Sequence, residues 1–226
     1  MAHGKRYQAR TKLVGATKLY DSAEALELVK RASTSKFDGA VEVHIRLGID
    51  PKKGDQQVRA TVVLPHGTGK TKRVAAFVNA EKMAEAKAAG ADIVGGKELV
   101  EQIKTTEKIE FDVAVATPDM MKDLASIAKL LGPRGLMPSP KNGTVTTAIS
   151  ETVTNLKGGM VAFKNDDTAN VHQIIGRVSW DVSKLQENYA TFMEAIRRAK
   201  PGSSKGVYVR SITLAPTMGP GVKVQL

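Results

Sequence analysis

Two kinds of hydrophobic pattern alternate along this chain, and they constrain its fold more than any other feature. In residues 41–49 and 58–62 apolar and polar residues alternate, which is typical of strands with one face in solvent. Segment 50–55 between them carries turn residues, so the two runs predict an antiparallel hairpin. The middle third instead has short apolar runs without alternation, separated by helical stretches, at residues 74–78, 91–94 and 111–115. That second pattern is typical of a parallel βαβ sheet covered on both faces.

A helix precedes the predicted hairpin. Asp21 and Glu24 have the spacing of a capping box, in which side chains satisfy free N–H groups at the start of a helix. The apolar residues that follow form one stripe at helical spacing: Ala25, Leu28, Val29 and Ala32. These two features together predict an amphipathic helix before the hairpin.

Strand and helix patterns like those of the first third return after residue 159. Alternating residues predict strands near 160–164 and 171–175, and a last strand pair covers roughly 207–214 and 222–225. A helix lies between these pairs and carries an apolar stripe of Leu185, Tyr189, Phe192 and Ile196.

Neither outer piece offers enough elements for a core of its own, so we expect the two to fold together. The prediction is a discontinuous α+β domain of split β-α-β type with an antiparallel sheet, formed by residues 1–67 and 159–226. Residues 68–158 would form an inserted Rossmann-like, three-layer βαβ domain. Glycines at both crossings between the domains allow a hinge.

The charge of the chain narrows its partners. There are 34 Lys and Arg against 23 Asp and Glu, a net charge of +11, which favours nucleic acid or an anionic membrane surface. No uncharged apolar run approaches about 18 residues, and the first residues lead into polar sequence, so neither a membrane span nor a secretion signal is expected. The sequence has no cysteine, which agrees with a reducing cytoplasm.

A stiff basic loop is predicted at residues 131–145. Its three prolines and three glycines exclude a regular helix or strand, and Arg134 and Lys141 supply exposed cations. A loop with a restricted backbone loses little entropy when it grips a partner, so it suits recognition. An ordinary proline-rich connector is the alternative interpretation.

The sequence has no complete enzyme motif of the kinds that its residues suggest. Segment 66–71 ends like a phosphate-binding loop, but Leu64 stands where the motif needs glycine, and the segment leads into an apolar run instead of a helix. The histidines have no metal-ligand spacing, and Asp166-Asp167 predicts a turn. We therefore predict no catalytic residue, cofactor or metal. A nucleotide-binding or NTPase middle domain stays as an alternative that rests on fold analogy.

Four ungapped motifs carry a family resemblance. They are the 131–145 loop, Thr217-Met218-Gly219-Pro220, Lys36-Phe37-Asp38 and Gly48-Ile49-Asp50-Pro51. On these, and in the same order along essentially the whole chain, the sequence resembles the family of large-subunit ribosomal protein one, the protein of the mobile stalk beside the tRNA exit site. The resemblance implies a discontinuous RNA-binding domain with an inserted Rossmann-like domain.

The resemblance also implies a function. Such a protein binds a structured site in 23S rRNA, assists release of deacylated tRNA from the exit site and, in bacteria, represses its own operon by binding its mRNA. The implied partners are 23S rRNA, exit-site tRNA, own-operon mRNA and other large-subunit components, with no membrane and a monomeric free form. We expect a cytoplasmic, ribosome-associated protein.

The resemblance places the main RNA contacts on the outer domain. Lys36 and Phe37 match one contact, where Phe packs on a ribose or base and Lys meets phosphate. A second contact comprises Thr217, Met218 and Gly219, in which we expect the Thr hydroxyl to reach a 2′-OH and the Gly to let the backbone approach RNA. Alone, Phe37 or Met218 would more often be a core residue.

Further RNA contacts are implied at the edges of this surface. Ser211 lies one predicted strand away and would add a hydroxyl. A mobile basic N-terminus would add His3, Lys5 and Arg6, although it could be merely solubilising. In the inserted domain, Arg134 and Lys141 would make a secondary contact with stalk RNA.

Overall fold

A computed structural model describes residues 4–15 and 18–226 of the protein. Within this part, the chain separates into two compact units of mixed α/β structure. The first unit contains residues up to Gly69 together with Val161–Leu226, and the second unit is Lys70–Met160.

The elements follow the chain in this order. The first pass through the first unit contains α1 (Lys5–Leu13), α2 (Ser22–Ala32), β1 (Ala40–Leu47) and β2 (Arg59–Val63). The second unit contains β3 (Val74–Phe77), α3 (Ala80–Ala88), β4 (Ile93–Gly95), α4 (Lys97–Thr106), β5 (Val113–Ala116), α5 (Met121–Leu124), α6 (Ala128–Leu131) and α7 (Ile149–Gly158). The chain then returns with β6 (Met160–Lys164), β7 (Asn170–Arg177), α8 (Val182–Arg198), β8 (Val209–Pro216) and β9 (Val222–Val224). The strands and long helices expected from the sequence are all present.

The first unit is built on a four-stranded sheet in the order β7-β1-β8-β9, with antiparallel pairing throughout. A separate two-stranded sheet joins β2 to β6. Helices α2 and α8 pack against each other and against the four-stranded sheet. One face of β1 enters this core through its fully buried residues Val41, Val43, Ile45 and Leu47.

The predicted hairpin of β1 with β2 is wrong. Strand β1 pairs with β7 and β8, and β2 pairs with β6. The link between them holds a 3-10 helix, Gly54–Gln56, and Asn165 beside β6 exchanges two hydrogen bonds with Val58 at the start of β2. Alternation tells which face of a strand is buried but not which strand lies beside it, so the nearest run was mistaken for the partner.

Helix α2 begins as expected, because the Asp21 carboxylate accepts a hydrogen bond of 3.3 Å from the Ala23 N–H. Its buried stripe is wider than predicted, since Leu26 is fully buried and Leu28 only partly. The helix contacts both α8 and the sheet, and one narrow stripe cannot cover two neighbours.

The second unit is built on a parallel sheet in the order β4-β3-β5. Both faces of β3 are buried: Ala75 and Phe77 belong to one hydrophobic cluster, and Val74, Ala76 and Val78 belong to another. The apolar runs without alternation therefore correspond to a sheet covered on both sides, as predicted.

Candidate nucleic-acid interface

Two loops that are distant in sequence lie side by side at one end of the four-stranded sheet. The hydroxyl of Thr34 donates a hydrogen bond of 2.5 Å to the Met218 carbonyl. The Thr217 N–H donates one of 3.0 Å to the Ala40 carbonyl. We call residues 33–39 and 217–220 the paired loops. They bring together two of the segments that the family resemblance singled out.

The paired loops expose two large hydrophobic side chains. Phe37 is 61% exposed and Met218 is 59% exposed, so neither is a core residue. Lys36, next to Phe37, is exposed as well. A flat apolar surface beside a cation can pack on a ribose or base while the ammonium group meets a phosphate.

Thr217 uses its hydroxyl inside the protein. Its Oγ1 accepts a hydrogen bond of 2.8 Å from the Ala40 N–H and lies 3.3 Å from the Ala40 carbonyl, to which it can donate. The family resemblance instead implies a hydrogen bond from this hydroxyl to a ribose 2′-OH. Because both of its bonds run to the start of β1, its first role is to fasten β8 to β1 at the base of the paired loops.

Gly219 is required by the packing of the protein itself. A Cβ atom at this position would lie 2.6 Å from Cγ of Pro216 and 2.9 Å from the Ala32 carbonyl oxygen. Contacts below 3.0 Å force a shift, and the Ala32 oxygen belongs to the backbone at the end of α2. The packing of α2 is therefore one reason for glycine at this position, and the close approach of RNA expected here stays a prediction.

One face of the four-stranded sheet is polar and accessible, and we call it the open sheet face. On β1 the partly exposed Glu42, His44 and Arg46 alternate with core residues. Their cross-strand neighbours share this face: His172 on β7 lies opposite His44, and Ser211 on β8 lies opposite Arg46. Ser211 is exposed as expected, but its neighbours were missed, since they are defined by strand register and carry no motif of their own.

Two histidines form a hydrogen bond at the middle of the open sheet face. Nδ1 of His44 lies 2.8 Å from Nδ1 of His172. Burial lowers the pKa of His44, the nearby His172 lowers it further, and Glu42 opposes them. The lowered pKa favours the neutral form of His44, since two protonated rings would both be donors and could not bond to each other.

The acidic turn before β7 flanks this pair. Asp166 accepts hydrogen bonds from the N–H groups of Thr168 and Asn170, at 2.9 and 2.7 Å, and from the Thr168 hydroxyl. Partial burial pulls the pKa of Asp166 upward, but these bonds outweigh it and hold the pKa far below its usual range. The turn predicted here is confirmed. Glu42 and Asp166 thus lie at either side of the histidines, while the exposed Arg46 of β1 and Lys223 of β9 supply cations on the same face.

The N-terminal basic residues are helical in part. Lys5 and Arg6 form the exposed first turn of α1, and their mobility stays a prediction. Both residues belong to a helix of nine residues. His3 lies outside the described residues.

In the second unit, the stiff loop has the expected character. Ser139 and Thr144 close it through three hydrogen bonds, and Gly135 and Gly143 adopt positive φ angles of 69° and 65°. After Leu131, the last residue of α6, the loop contains a 3-10 turn, Pro140–Asn142. Arg134 and Lys141 are both exposed on this loop and available to a partner.

The segment that resembles a phosphate-binding loop has a different use. Asn188 of α8 accepts a hydrogen bond from the His66 N–H and donates to the Gly67 carbonyl. The following residues enter strand β3. With no helix opening behind Lys70, the segment cannot direct a helix N-terminus at phosphates.

Across residues 4–15 and 18–226, no group of three or more His, Cys, Asp or Glu side chains is arranged to hold a metal ion. In the same part of the chain, no helix is long and apolar enough to cross a membrane.

Comparison with known proteins agrees with this architecture. Residues 28–220 match the sequence profile of the ribosomal protein L1p/L10e family. The large ribosomal subunit protein uL1 of Corynebacterium diphtheriae is 52% identical over 220 residues, which cover 97% of this chain and 93% of that protein. Both matches are with ribosomal proteins.

The chain belongs to the ribosomal protein L1p/L10e family. It is a ribosomal protein of the cytoplasm and not an enzyme, which removes the NTPase alternative for the second unit.

Proposed function

We propose that this protein binds 23S rRNA in the mobile stalk of the large ribosomal subunit, through the paired loops and the open sheet face. The observation that carries the proposal is the exposure of Phe37 and Met218 beside Lys36, on two loops joined by a direct hydrogen bond. Side chains of this size stay in contact with water only at a cost, which contact with a partner removes.

The composition of the surface favours a folded RNA over an unstructured single strand. Aromatic residues make up 4% of the chain, too few for a row of base-stacking positions. The open sheet face instead offers hydroxyl, imidazole and guanidinium groups, which suit ribose hydroxyls and the shape of a helix.

The proposed role includes three partners in addition to the rRNA. By holding the stalk RNA beside the exit site, the protein would assist release of deacylated tRNA. The same surface would bind an mRNA site that copies the rRNA fold, and so repress the operon that encodes the protein. Other large-subunit components would surround it, and free of RNA it would be a monomer. In the second unit, Arg134 and Lys141 would make a weaker contact with stalk RNA.

Binding of a stalk rRNA fragment tests the proposal in the full-length chain. Phe37→Ala and Met218→Ala should each weaken binding roughly tenfold or more, in line with about 1 to 3 kcal/mol per lost stacking contact. Leu226→Ala is the matched control, since Leu226 is 66% exposed but lies near Val207 and Val209, at the opposite end of β8 from the paired loops. Equal binding by all three variants and the parent would overturn the assignment.

The mRNA partner can be tested with the same variants. An RNA from the leader of the operon should compete with the rRNA fragment, and Phe37→Ala should lose affinity for both by the same factor. Loss of affinity for only one RNA would mean that two surfaces are used.

A further inference from the structure

A second cationic site lies at the opposite end of β8 from the paired loops. Residues from three separate segments line a cavity of about 450 Å³ there. Lys53 comes from the link between β1 and β2, Lys205 from the turn before β8, and Arg210 from β8 itself. With Gln56, which also lines the cavity, we call these residues the basic pocket.

A β-bulge places Arg210 in the basic pocket. In the ladder of β1 with β8, Arg46 lies opposite Ser211 and Leu47 lies opposite Val209, so Arg210 has no partner on β1. A bulge of this kind releases a side chain from strict alternation and re-aims it. Its guanidinium lies over Gly48, where a Cβ atom would be 3.3 Å from Nε of Arg210.

The backbone beneath the pocket is closely packed. The same Cβ atom at Gly48 would lie 2.1 Å from the Val207 carbonyl oxygen, and the Gly48 N–H donates a bond of 2.7 Å to Tyr208. The buried Ser204, beside Lys205, directs its hydroxyl at the Gly48 carbonyl, 3.4 Å away. These contacts hold the end of β1 against the turn that carries Lys205.

The loop that carries Lys53 is also ordered. The Lys53 N–H donates to the Asp50 carbonyl and the Gln56 N–H donates to the Lys53 carbonyl, both at 3.1 Å. The Asp50 N–H donates to Oε1 of Gln56 at 2.8 Å, which leaves the Nε2 group of Gln56 as a donor at the wall of the pocket.

The cations of the pocket have no acidic partner. Among the described residues, none of Lys53, Lys205 and Arg210 has a carboxylate oxygen within 4.0 Å of its charged nitrogens. Asp50 is the acid that lines the cavity, and its Oδ1 already accepts a bond of 3.1 Å from the Lys52 N–H. Three unpaired cations and an amide donor around one cavity are suited to a phosphate group.

The position of the pocket points to an RNA phosphate. Arg210 and Thr217 are seven residues apart near the two ends of β8, about 23 Å at 3.3 Å per residue. Between these ends the open sheet face carries Glu42, His44 and the exposed Arg46, and Lys223 of β9 lies in the same cross-strand row as His44. Cations at both ends of the face and along it match a folded RNA that lies along the sheet and presents its backbone at more than one place.

We propose that the basic pocket binds a backbone phosphate of the RNA whose other contact is made by the paired loops. This inference rests on the proposed function, and it adds a second phosphate contact to the first unit. The shared chemistry is that of a phosphate oxygen, whether carried by RNA or by free phosphate.

The salt dependence of rRNA-fragment binding tests the proposal in the full-length chain. Each phosphate contact contributes about 0.7 to 0.9 to the slope of log K against log salt. Because the pocket is proposed to hold one phosphate, the triple variant Lys53→Gln, Lys205→Gln, Arg210→Gln should lower the slope by roughly 0.7 to 0.9 and weaken binding at least tenfold at low salt. Lys184→Gln, on the exposed part of α8, should change neither.

Two further variants separate the possible outcomes. Lys205→Arg keeps the charge and should keep the slope, whereas an equal loss in Lys205→Arg and Lys205→Gln would indicate a structural role and overturn the proposal. If Phe37→Ala weakens binding while the triple variant keeps the parental slope, the pocket proposal fails and the proposed function stands. If neither changes binding, both fail.

Titration with inorganic phosphate, followed by NMR shifts of the Gly48 and Lys205 amides, distinguishes the two sources of phosphate. Shifts at these amides, together with an unchanged RNA slope in the triple variant, would assign the pocket to free phosphate and overturn its role in RNA binding.

Discussion

The four-stranded sheet of the first unit and the parallel sheet of the second unit differ in how many of their faces are covered. In the second unit, β3 is buried on both sides by separate hydrophobic clusters, so the sheet itself cannot touch a partner. In the first unit, β1 is buried on one side and carries Glu42, His44 and Arg46 on the other. A parallel sheet with helices on both faces can recognise partners only through its loops, such as the one with Arg134 and Lys141. A half-covered antiparallel sheet offers its strands as well.

The largest effect is expected from the same substitution made in each unit. Phe77→Ala removes a fully buried ring that packs edge-on against Phe111, and should destabilise the second unit by about 3 to 5 kcal/mol. Phe37→Ala removes a ring that is 61% exposed and should leave stability nearly unchanged. Denaturant unfolding of the two variants measures this contrast. Comparable losses of stability in both would remove the distinction between a covered and an open sheet.

A smaller loss of stability is expected at the base of the paired loops. Gly219→Ala introduces a Cβ atom within 2.9 Å of the Ala32 carbonyl, and should cost about 1 to 3 kcal/mol in the first unit as well as weaken RNA binding. Gly202→Ala is the matched control, because nothing lies within 4 Å of a Cβ atom there. Thermal unfolding measures the stability of both variants. Identical melting curves would show that the loop accommodates the added Cβ atom with no loss of stability.

The next largest loss of stability is expected from removing the side-chain hydrogen bonds that join β8 to β1. Thr217→Val keeps the side-chain shape but removes the hydroxyl that bonds the Ala40 N–H and carbonyl, so it should destabilise the protein by about 1 kcal/mol. The Thr217 N–H keeps its own bond to Ala40, which limits the loss. A variant with parental stability but weakened RNA binding would instead support the direct ribose contact expected from the sequence.

The smallest effect concerns pH. Because the pKa of His44 is lowered from 6.5 in the folded protein, the unfolded chain binds more protons just below pH 6.5, and stability should fall as pH decreases through that value. The groups that face His44 are Glu42 and His172, with Asp166 beyond His172 and Arg46 two positions along β1. His44→Gln should flatten the curve of unfolding free energy between about pH 5 and 7. His66→Gln, on a different part of the first unit, serves as the control.

Much of the architecture was predictable because side-chain periodicity is local. The alternation at residues 41–49 and its absence at 74–78 separated a half-covered strand from a fully covered one. The partner of β1 was not predictable in this way, and it was assigned to β2 instead of β7 and β8. Periodicity depends on neighbours along the chain, whereas pairing depends on which strands the core brings together.

The same distinction between local and long-range features applies to the candidate site. The sequence by itself determined the family motifs, the basic charge and the residue types at the paired loops, since these are properties of short segments. Three features became visible only in the tertiary structure. The Thr217 hydroxyl bonds to Ala40, and the packing of α2 requires glycine at position 219. A β-bulge places Arg210 in the same pocket as Lys53 and Lys205. Each of these depends on atoms brought together across more than 100 residues of chain, and a hydrogen bond or a close contact exists only once both partners are in place.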